Sequence, residues 1–307
     1  MKKIYFTRSE SSLPGIFFIL AGGFTFSIQD VIIKLISISY PVHEIVFLRS
    51  VFALLPILLI IKLEGGFSLL QTRQASFQMV RGLLLLLSYT LYYFAIARIP
   101  IAQTVTVFFC APLFISVFSV FFLDERIDRR GWFALVVGFT GIVTVMRPGS
   151  AIMGVDAVLP LISGLFYAIS AVITRKYGEH ESGASLVFYP TMTYLAGGGL
   201  LWYFIGDGSL LATAHPNMDF LLRRWTVPTG DDLLLIFGTG IIAAVGFYCL
   251  SQGYRLGRAS IVAPFEFFVI PISIVWGFVF WRDIPDLVQL AGTILIIASG
   301  CYILRRL

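Results

Sequence analysis

The feature that most limits how this chain can fold is a series of apolar blocks, each roughly 17 to 25 residues long. An α-helix rises about 1.5 Å per residue, so a block of this length crosses the hydrocarbon core of a bilayer. Charged residues form only 13% of the sequence, whereas soluble domains carry about 25%. Because this deficit extends along the whole chain, a large soluble core does not explain it. The sequence therefore predicts an all-α polytopic membrane protein.

Ten transmembrane helices are predicted from the blocks. Their spans are residues 13–36, 44–62, 77–97, 101–122, 131–147, 155–176, 184–206, 231–254, 259–281 and 287–304. Only Arg98, Ile99 and Pro100 separate the third span from the fourth, so these two spans form a tight hairpin. The ten spans and their short connections use nearly all of the 307 residues. The sequence therefore leaves no room for an extramembrane catalytic domain.

The distribution of Lys and Arg predicts the orientation, because cytoplasmic loops carry an excess of both. If the N-terminus is cytoplasmic, fifteen of the 22 residues lie on the cytoplasmic side, five lie on the other side, and Lys34 and Arg49 lie inside spans. The five are Arg98, Arg147, Arg223, Arg224 and Arg282. Both termini are therefore predicted to be cytoplasmic. The same bias accounts for most of the net charge of +5 without a nucleic-acid partner.

The second half of the chain repeats the first. A shift of 159 positions places residues 89–147 on residues 248–306 without a gap, and a shift of 141 aligns the first spans of the two halves. The matched pairs include Tyr89 with Tyr248, Pro112 with Pro271, Asp124 with Asp283, Gly141 with Gly300, Arg147 with Arg306 and Gly23 with Gly164. Each half holds five spans, an odd number, so the second half enters the membrane from the opposite side. We therefore predict two inverted five-helix repeats, residues 13–147 and 155–306, an architecture found in many secondary transporters.

Several segments resemble the drug/metabolite transporter superfamily, in particular its ten-helix EamA-type members. They are FSIQDVIIKLISISYPVHEIVFLRS, RGLLLLLSYTLYYFAIARIPIAQTVTVFFCAPLFISVFSVFFLDERI, GFTGIVTVMRP and GYRLGRASIVAPFEFFVIPISIVWGFVFWRDIPD. The resemblance covers nearly the whole chain and implies a carrier in the bacterial inner membrane. The arrangement of Asp30, Lys34, Glu44 and Arg49 is most similar to bacterial riboflavin and S-adenosylmethionine transporters. Amino-acid exporters share the fold with less similarity.

Four charged residues stand out inside the predicted spans, where a charge is costly and usually faces a partner or a water-filled cavity. Glu266, near the middle of the ninth span, is a candidate ligand contact, a proton site or a partner for an arginine. Arg49 can bind an anionic or carbonyl group of a substrate, or pair with Asp30 or Glu266. Asp30 and Lys34 lie one turn apart on the first span, a spacing that allows an ion pair. Lys34 can also extend to the membrane interface.

Neutral polar and aromatic residues complete the candidate substrate cavity. Gln103 and Gln252 can donate and accept hydrogen bonds, and the aromatic candidates are Tyr89, Tyr92, Tyr248 and Phe265. A cavity walled by aromatic rings with a few polar donors suits a flat ring system.

The expected charge of the cavity favours a neutral or zwitterionic metabolite. Ion pairs such as Asp30 with Lys34 and Arg49 with Glu266 would leave the cavity near neutral. Riboflavin is therefore the first expected substrate. The alternative is S-adenosylmethionine, whose sulfonium cation Glu266 can neutralise.

Other classes of function are less compatible with the sequence. It contains no GxxxxGK[ST] run, so direct ATP hydrolysis is not expected. A membrane enzyme would need a clustered acid–base or metal set, yet His43, His180 and His215 are far apart. The three cysteines, Cys110, Cys249 and Cys301, fit no disulfide or metal spacing. A receptor or assembly subunit would not need an inverted repeat.

We therefore expect a carrier without enzymatic activity, cofactor or metal. Its expected partners are a small-molecule substrate and membrane lipid, and its expected state is a monomer or homodimer.

Overall fold

The described part of the chain is helical throughout. The computed structural model describes residues 12–72, 74–125, 127–146, 156, 158–178, 181–209 and 219–304, and none of these residues lies in a β-strand. The all-α prediction is therefore confirmed for this part of the chain. Both termini lie outside the described residues, as do Arg147, Arg306, His180 and His215.

Thirteen α-helices follow one another in the described ranges. They are α1 (Leu13–Ile36), α2 (Val42–Glu64), α3 (Ala75–Ile96), α4 (Ile101–Phe108), α5 (Ala111–Phe122), α6 (Arg129–Met146), α7 (Val158–Tyr177), α8 (Gly183–Ile205), α9 (Asp219–Leu222), α10 (Gly230–Leu256), α11 (Ala259–Val262), α12 (Val269–Trp281) and α13 (Leu287–Leu304). Two 3₁₀-helices are Phe67–Leu70 and Ala263–Phe268. The outer bounds of all ten predicted spans agree with these helices to within three residues.

Eight of the ten predicted spans are helices long and apolar enough to cross a membrane, as judged over the described residues. The two exceptions are α8 and α13. Helix α8 carries several Gly and Tyr residues and a proline along its 23 residues. In α13 the apolar stretch found is Leu287–Ser299, which is shorter than a membrane span.

The fourth and ninth spans lie in helical segments of membrane-spanning length, Ile101–Phe122 and Ala263–Trp281, but the helix of each predicted span is interrupted within its length. A turn at Phe109 and Cys110 separates α4 from α5, and the 3₁₀-helix Ala263–Phe268 lies between α11 and α12. Pro112 and Pro271 follow the two breaks. A proline has no N–H to donate to the carbonyl four residues earlier, so each of these prolines removes one α-helical hydrogen bond near the break.

Close approach of helices depends on glycine. Helix α1 packs along α10, and a Cβ on Gly15 would lie 3.0 Å from the carbonyl oxygen of Gly253. Other glycines are in similar contacts: a Cβ on Gly23 would lie 2.7 Å from Val269, and one on Gly198 would lie 2.9 Å from Phe47. Small residues allow membrane helices to pack with their backbones close together.

The main helix contacts come in related pairs. Helix α1 packs along α10 and α7 along α3, while α2 packs on α10 and α8 on α3. Helix α1 contacts α12, and α7 contacts α5. The remaining large contacts are α2 with α8 and α6 with α13. When each span is exchanged for the equivalent span of the other half, the α1–α10 contact becomes α7–α3, the α2–α10 contact becomes α8–α3, and the α1–α12 contact becomes α7–α5. The α2–α8 and α6–α13 contacts each join two equivalent spans, so the exchange leaves them unchanged.

Candidate functional site

Arg49 occupies an aromatic enclosure in the middle of the helical bundle. Its side chain is only 1% exposed. Nη1 donates to the hydroxyl of Tyr93 at 2.5 Å, and the guanidinium lies 5.3 to 5.9 Å from the ring centroids of Tyr89, Tyr93, Tyr194 and Phe247. Nε has no hydrogen-bond partner among the described residues. Arg49 is therefore held by aromatic rings rather than by a carboxylate.

A chain of hydrogen bonds joins Arg49 to α1. The Gln29 side chain can donate to the carbonyl of Thr239 at 3.1 Å, and its oxygen then accepts from the Tyr93 hydroxyl at 2.5 Å. In the same orientation this oxygen lies 3.3 Å from Nη1 of Arg49. Helices α1, α2, α3 and α10 therefore meet around one buried cation.

Asp30 and Lys34 do not form the ion pair that their spacing allows. The Asp30 carboxylate accepts from the Tyr92 hydroxyl at 2.8 Å. Lys34 points away from it, donates to the carbonyl of Ile99 at 2.7 Å and lies 5.3 Å from the ring centroid of Trp281. Partners on other helices therefore satisfy both side chains, and Lys34 belongs to the end of the bundle where α3 meets α4.

Glu266 also lacks the predicted arginine partner. It is 3% exposed and lies in the 3₁₀-helix between α11 and α12. One oxygen of its carboxylate accepts from the hydroxyls of Tyr167 and Tyr254, each at 2.7 Å. The expected pairing of Arg49 with Glu266 or Asp30 is therefore wrong, since each group has its own neutral partners.

Arg81 is a second buried cation that the sequence analysis placed on the cytoplasmic side and not in the site. It lies on α3 and is 3% exposed. Nε donates to Thr174 at 2.7 Å, Nη1 to the carbonyl of Leu186 at 2.5 Å and Nη2 to Ser251 at 2.8 Å. Because every nitrogen has a partner, Arg81 joins four helices, α3, α7, α8 and α10.

Arg81 lines a small central cavity. The other lining residues that carry a polar group are Tyr167, Ser170, Thr174, Ser251 and Tyr254. The cavity measures about 20 Å³, which is room for about one water molecule. Sites for small metabolites are typically about 300 to 1,000 Å³, so the centre of the bundle is closed in this conformation.

Four other predicted site residues lie away from Arg49. Gln103 lines a separate cavity of about 10 Å³ with Gln289 and Thr293. Tyr248 donates to Glu64 at 2.7 Å, and Gln252 donates to Tyr248 at 3.0 Å. Phe265 is partly buried against the hydrophobic core. We call Arg49, Arg81, Asp30, Glu266 and the residues in contact with them the central group. Five of the ten predicted residues belong to it: Arg49, Tyr89, Asp30, Tyr92 and Glu266.

Polar contacts close the bundle at both ends. At one end, here called the Tyr40 end, Tyr40 donates to Asp232 at 2.7 Å and Arg223 donates to the carbonyl of Ile38. At the other, the Glu64 end, the Glu64 carboxylate accepts from Tyr248 and, at 3.0 Å, from the backbone N–H of Ala184. These contacts tie α2 to α8 and α10 at the Glu64 end, and the α1–α2 turn to the first turn of α10 and to the segment before α10 at the Tyr40 end.

Apolar helices of membrane-spanning length around a closed polar centre define a multi-pass membrane protein of the transporter type. A sequence model described as the EamA-like transporter family matches residues 13–147 and again residues 156–305. The chain therefore belongs to the EamA-like transporter family, within the drug/metabolite transporter superfamily.

Individual relatives carry different transporter names. The chain is 29% identical to the pseudopaline exporter of Pseudomonas aeruginosa, over 95% of this chain and 96% of the relative. It is 25% identical to the S-adenosylmethionine uptake transporter of Rickettsia prowazekii, over 96% and 94%. It is 24% identical to the riboflavin transporter of Vibrio cholerae, over 95% and 93%.

A solved crystal structure has the same fold. It shares 18% sequence identity with this chain and gives a TM-score of 0.66, over 97% of this chain and 98% of the other.

Several residues of the central group were missed in the sequence, chiefly Arg81, Gln29, Tyr93, Tyr167, Tyr194 and Tyr254. Arg81 lies four residues inside the predicted third span, so its burial was visible as a charge within an apolar block. The tyrosines carried no such signal, because most aromatic residues of membrane helices face lipid or pack against other helices. The polar centre draws on the third, sixth and seventh spans, and not on the fourth as predicted.

Proposed function

We propose that this protein is a secondary transporter that moves a small metabolite across the bacterial inner membrane by alternating access. The observation that carries this proposal is the buried centre, where two arginines and two carboxylates lie without ionic partners among the described residues. Ionisable residues within membrane spans are rare and costly, and they mark substrate or ion pathways in transporters.

We further propose ten spans in two inverted repeats, residues 13–147 and 155–306, with both termini cytoplasmic. The paired helix contacts support this arrangement, as does the double match of the family model. Gly23 and Gly164, which are equivalent under the shift of 141, support the inverted repeat at the level of single residues. A Cβ on Gly23 would meet Val269 at 2.7 Å, and one on Gly164 would meet Cys110 at 2.8 Å. Val269 and Cys110 are themselves equivalent under the shift of 159, and both border a broken span.

The two ends of the bundle supply the gates that alternating access needs. In the proposed topology the Tyr40 end is periplasmic and the Glu64 end is cytoplasmic. The present conformation is closed at both ends. Release of the Glu64 contacts with Tyr248 and Ala184 would open the centre to the cytoplasm, while release of the Tyr40 contact with Asp232 would open it to the periplasm.

The unpaired charges change the order of the candidate substrates. Riboflavin came first because ion pairs were expected to leave the cavity neutral, and the structure contains neither of those pairs. A zwitterion such as S-adenosylmethionine offers both signs of charge to the centre, while the aromatic rings suit the adenine of one candidate and the isoalloxazine of the other. We therefore place S-adenosylmethionine first and riboflavin second.

Uptake into proteoliposomes tests the proposed function. The purified protein is reconstituted without ATP, and the uptake of labelled S-adenosylmethionine, riboflavin and amino acids is measured against protein-free liposomes, with and without a proton gradient. We expect saturable uptake of at least one of these compounds, stimulated when the same unlabelled compound is preloaded inside. Absence of protein-dependent flux for every compound would contradict the proposed function.

A further inference from the structure

The two buried arginines differ in one respect that bears on the substrate. All three nitrogens of Arg81 donate to partners on neighbouring helices. Among the described residues, the hydrogen bonds of Arg49 come from Nη1 alone, and its buried Nε has no partner. Leaving a donor of a charged group unpaired in a low-dielectric interior is costly. The protein therefore maintains, at Arg49, a cation with unused hydrogen-bonding capacity.

The position of Arg49 is fixed by its backbone. Helix α10 comes so close to α2 that a Cβ on Gly240 would lie 2.9 Å from the carbonyl oxygen of Arg49. The four rings around the guanidinium attract the cation through their faces, but a ring face cannot accept from the planar N–H groups as a carboxylate does. A carboxylate accepts two parallel N–H bonds from a guanidinium, which is the strongest pairing available to it.

One aromatic ring, that of Phe247, lies between Arg49 and the central cavity. The ring of Phe247 lies 5.9 Å from the Arg49 guanidinium and also lines the cavity beside Tyr167 and Tyr254. Those two tyrosines hold Glu266 by their hydroxyls. Rotation of the Phe247 ring would therefore connect the Arg49 guanidinium with the central cavity. Tyr167 and Tyr254, which hold the Glu266 carboxylate, border that cavity.

We propose that Arg49 binds a carboxylate group of the transported substrate, and that this substrate belongs to the aminocarboxylates. The proposal rests on the transport function proposed above. The Asp30 and Glu266 carboxylates, whose hydrogen-bond donors in the described part of the chain are tyrosine hydroxyls, face the cationic group of the same molecule. A neutral ring system such as riboflavin leaves Arg49 unpaired, so the site discriminates against it.

A matched pair of ligands tests the proposal on the wild-type protein. S-adenosylmethionine and decarboxylated S-adenosylmethionine share the adenosine and the sulfonium and differ in the carboxylate. Binding to detergent-purified protein is measured by competition and thermal shift, with the twenty standard amino acids and their corresponding amines as a second set. We expect each bound carboxylate compound to bind about 10- to 100-fold more tightly than its decarboxylated counterpart, the range for a hydrogen bond to a charged group.

Two arginine variants assign the effect to a residue. Arg49→Lys removes the planar guanidinium that can donate two parallel N–H bonds. The affinity for the carboxylate compound divided by that for its decarboxylated counterpart should therefore fall to within about threefold of unity. Arg98→Lys is the control, because Arg98 already pairs with Asp156 at 2.6 Å and is partly exposed; its ratio should equal that of the wild type. If Arg49→Lys does not fold, the wild-type comparison alone decides.

The outcomes separate this proposal from the transport function. Equal affinity for the paired ligands, or binding of no carboxylate compound, would overturn the role of Arg49. Protein-dependent flux of riboflavin alone would overturn the aminocarboxylate class while the transport function stands. Absence of all flux would overturn the transport function itself.

Discussion

Glu266 and its two tyrosines show how this protein holds a carboxylate in its core. The hydroxyls of Tyr167 and Tyr254 both donate to one oxygen of the carboxylate, and no lysine or arginine lies within 4 Å of it in the described structure. The tyrosines come from α7 and α10, so two helices contribute to one buried acceptor. A movement of either helix relative to the 3₁₀-helix would expose the carboxylate to substrate or to a proton.

Replacing Glu266 by Gln tests this residue. A glutamine oxygen still accepts from both tyrosine hydroxyls, so the fold should be retained, but the side chain can no longer bind or release a proton. We expect Glu266→Gln to show reduced uptake in proteoliposomes and no dependence of uptake on pH. Tyr254→Phe is the control, because it removes one hydroxyl and keeps the carboxylate. Wild-type uptake with a wild-type pH response in Glu266→Gln would rule out our role for Glu266.

The sequence identified which charges are buried better than it identified their partners. Glu266, Arg49 and Asp30 stood out as charges inside apolar blocks, and all three are buried in the structure. Their predicted pairings were wrong because spacing along one helix says nothing about side chains that other helices bring close. Tyr93, Tyr92 and Tyr167 lie 44 to 99 residues from the charges that they hold, and only Tyr254 is close in sequence to its partner Glu266.

At the scale of helices, glycine determines how closely α6 and α13 can pack. A Cβ on Gly141 would lie 2.7 Å from the carbonyl oxygen of Gly292, and one on Gly292 would lie 2.7 Å from that of Gly141. Both contacts are with backbone, which cannot rotate away as a side chain can. Neither glycine therefore tolerates a side chain without separation of the two helices.

Gly141→Ala should lower the stability of the protein by about 1 to 3 kcal/mol, the usual cost of overpacking. The matched control is Gly238→Ala on α10, where a Cβ meets nothing within 4 Å. Its stability should be unchanged or increased by up to about 1 kcal/mol, because alanine favours a helix more than glycine does. Thermal unfolding in one detergent measures both. An equal effect of the two substitutions would show that the α6–α13 contact is not close in solution.

The bounds of the helices followed from the sequence, while the breaks in two of them did not. Apolar blocks bounded by charges and prolines predicted the outer bounds of the helices to within three residues. Pro112 and Pro271 were visible as equivalent residues, but Pro56 and Pro190 lie inside the unbroken helices α2 and α8. A proline alone therefore does not predict a break, since neighbouring helices decide whether the freed carbonyl can be accommodated.

At the scale of the whole molecule, the described conformation is closed on both sides of a polar centre. The Tyr40 end and the Glu64 end each rest on a few hydrogen bonds between helices, and the cavity between them has room for about one water molecule. Such a state lies between inward-open and outward-open conformations in an alternating-access cycle. The central claim is therefore that the same cavity opens to either side of the membrane.

A single cysteine in the cavity tests this claim directly. Ala171 lines the cavity and is 4% exposed, so Ala171→Cys is made in a background where Cys110, Cys249 and Cys301 are replaced by alanine. A membrane-impermeant thiol reagent is applied to right-side-out and to inside-out vesicles. We predict that the cysteine reacts from both sides. Reaction from one side only, or from neither, would contradict alternating access.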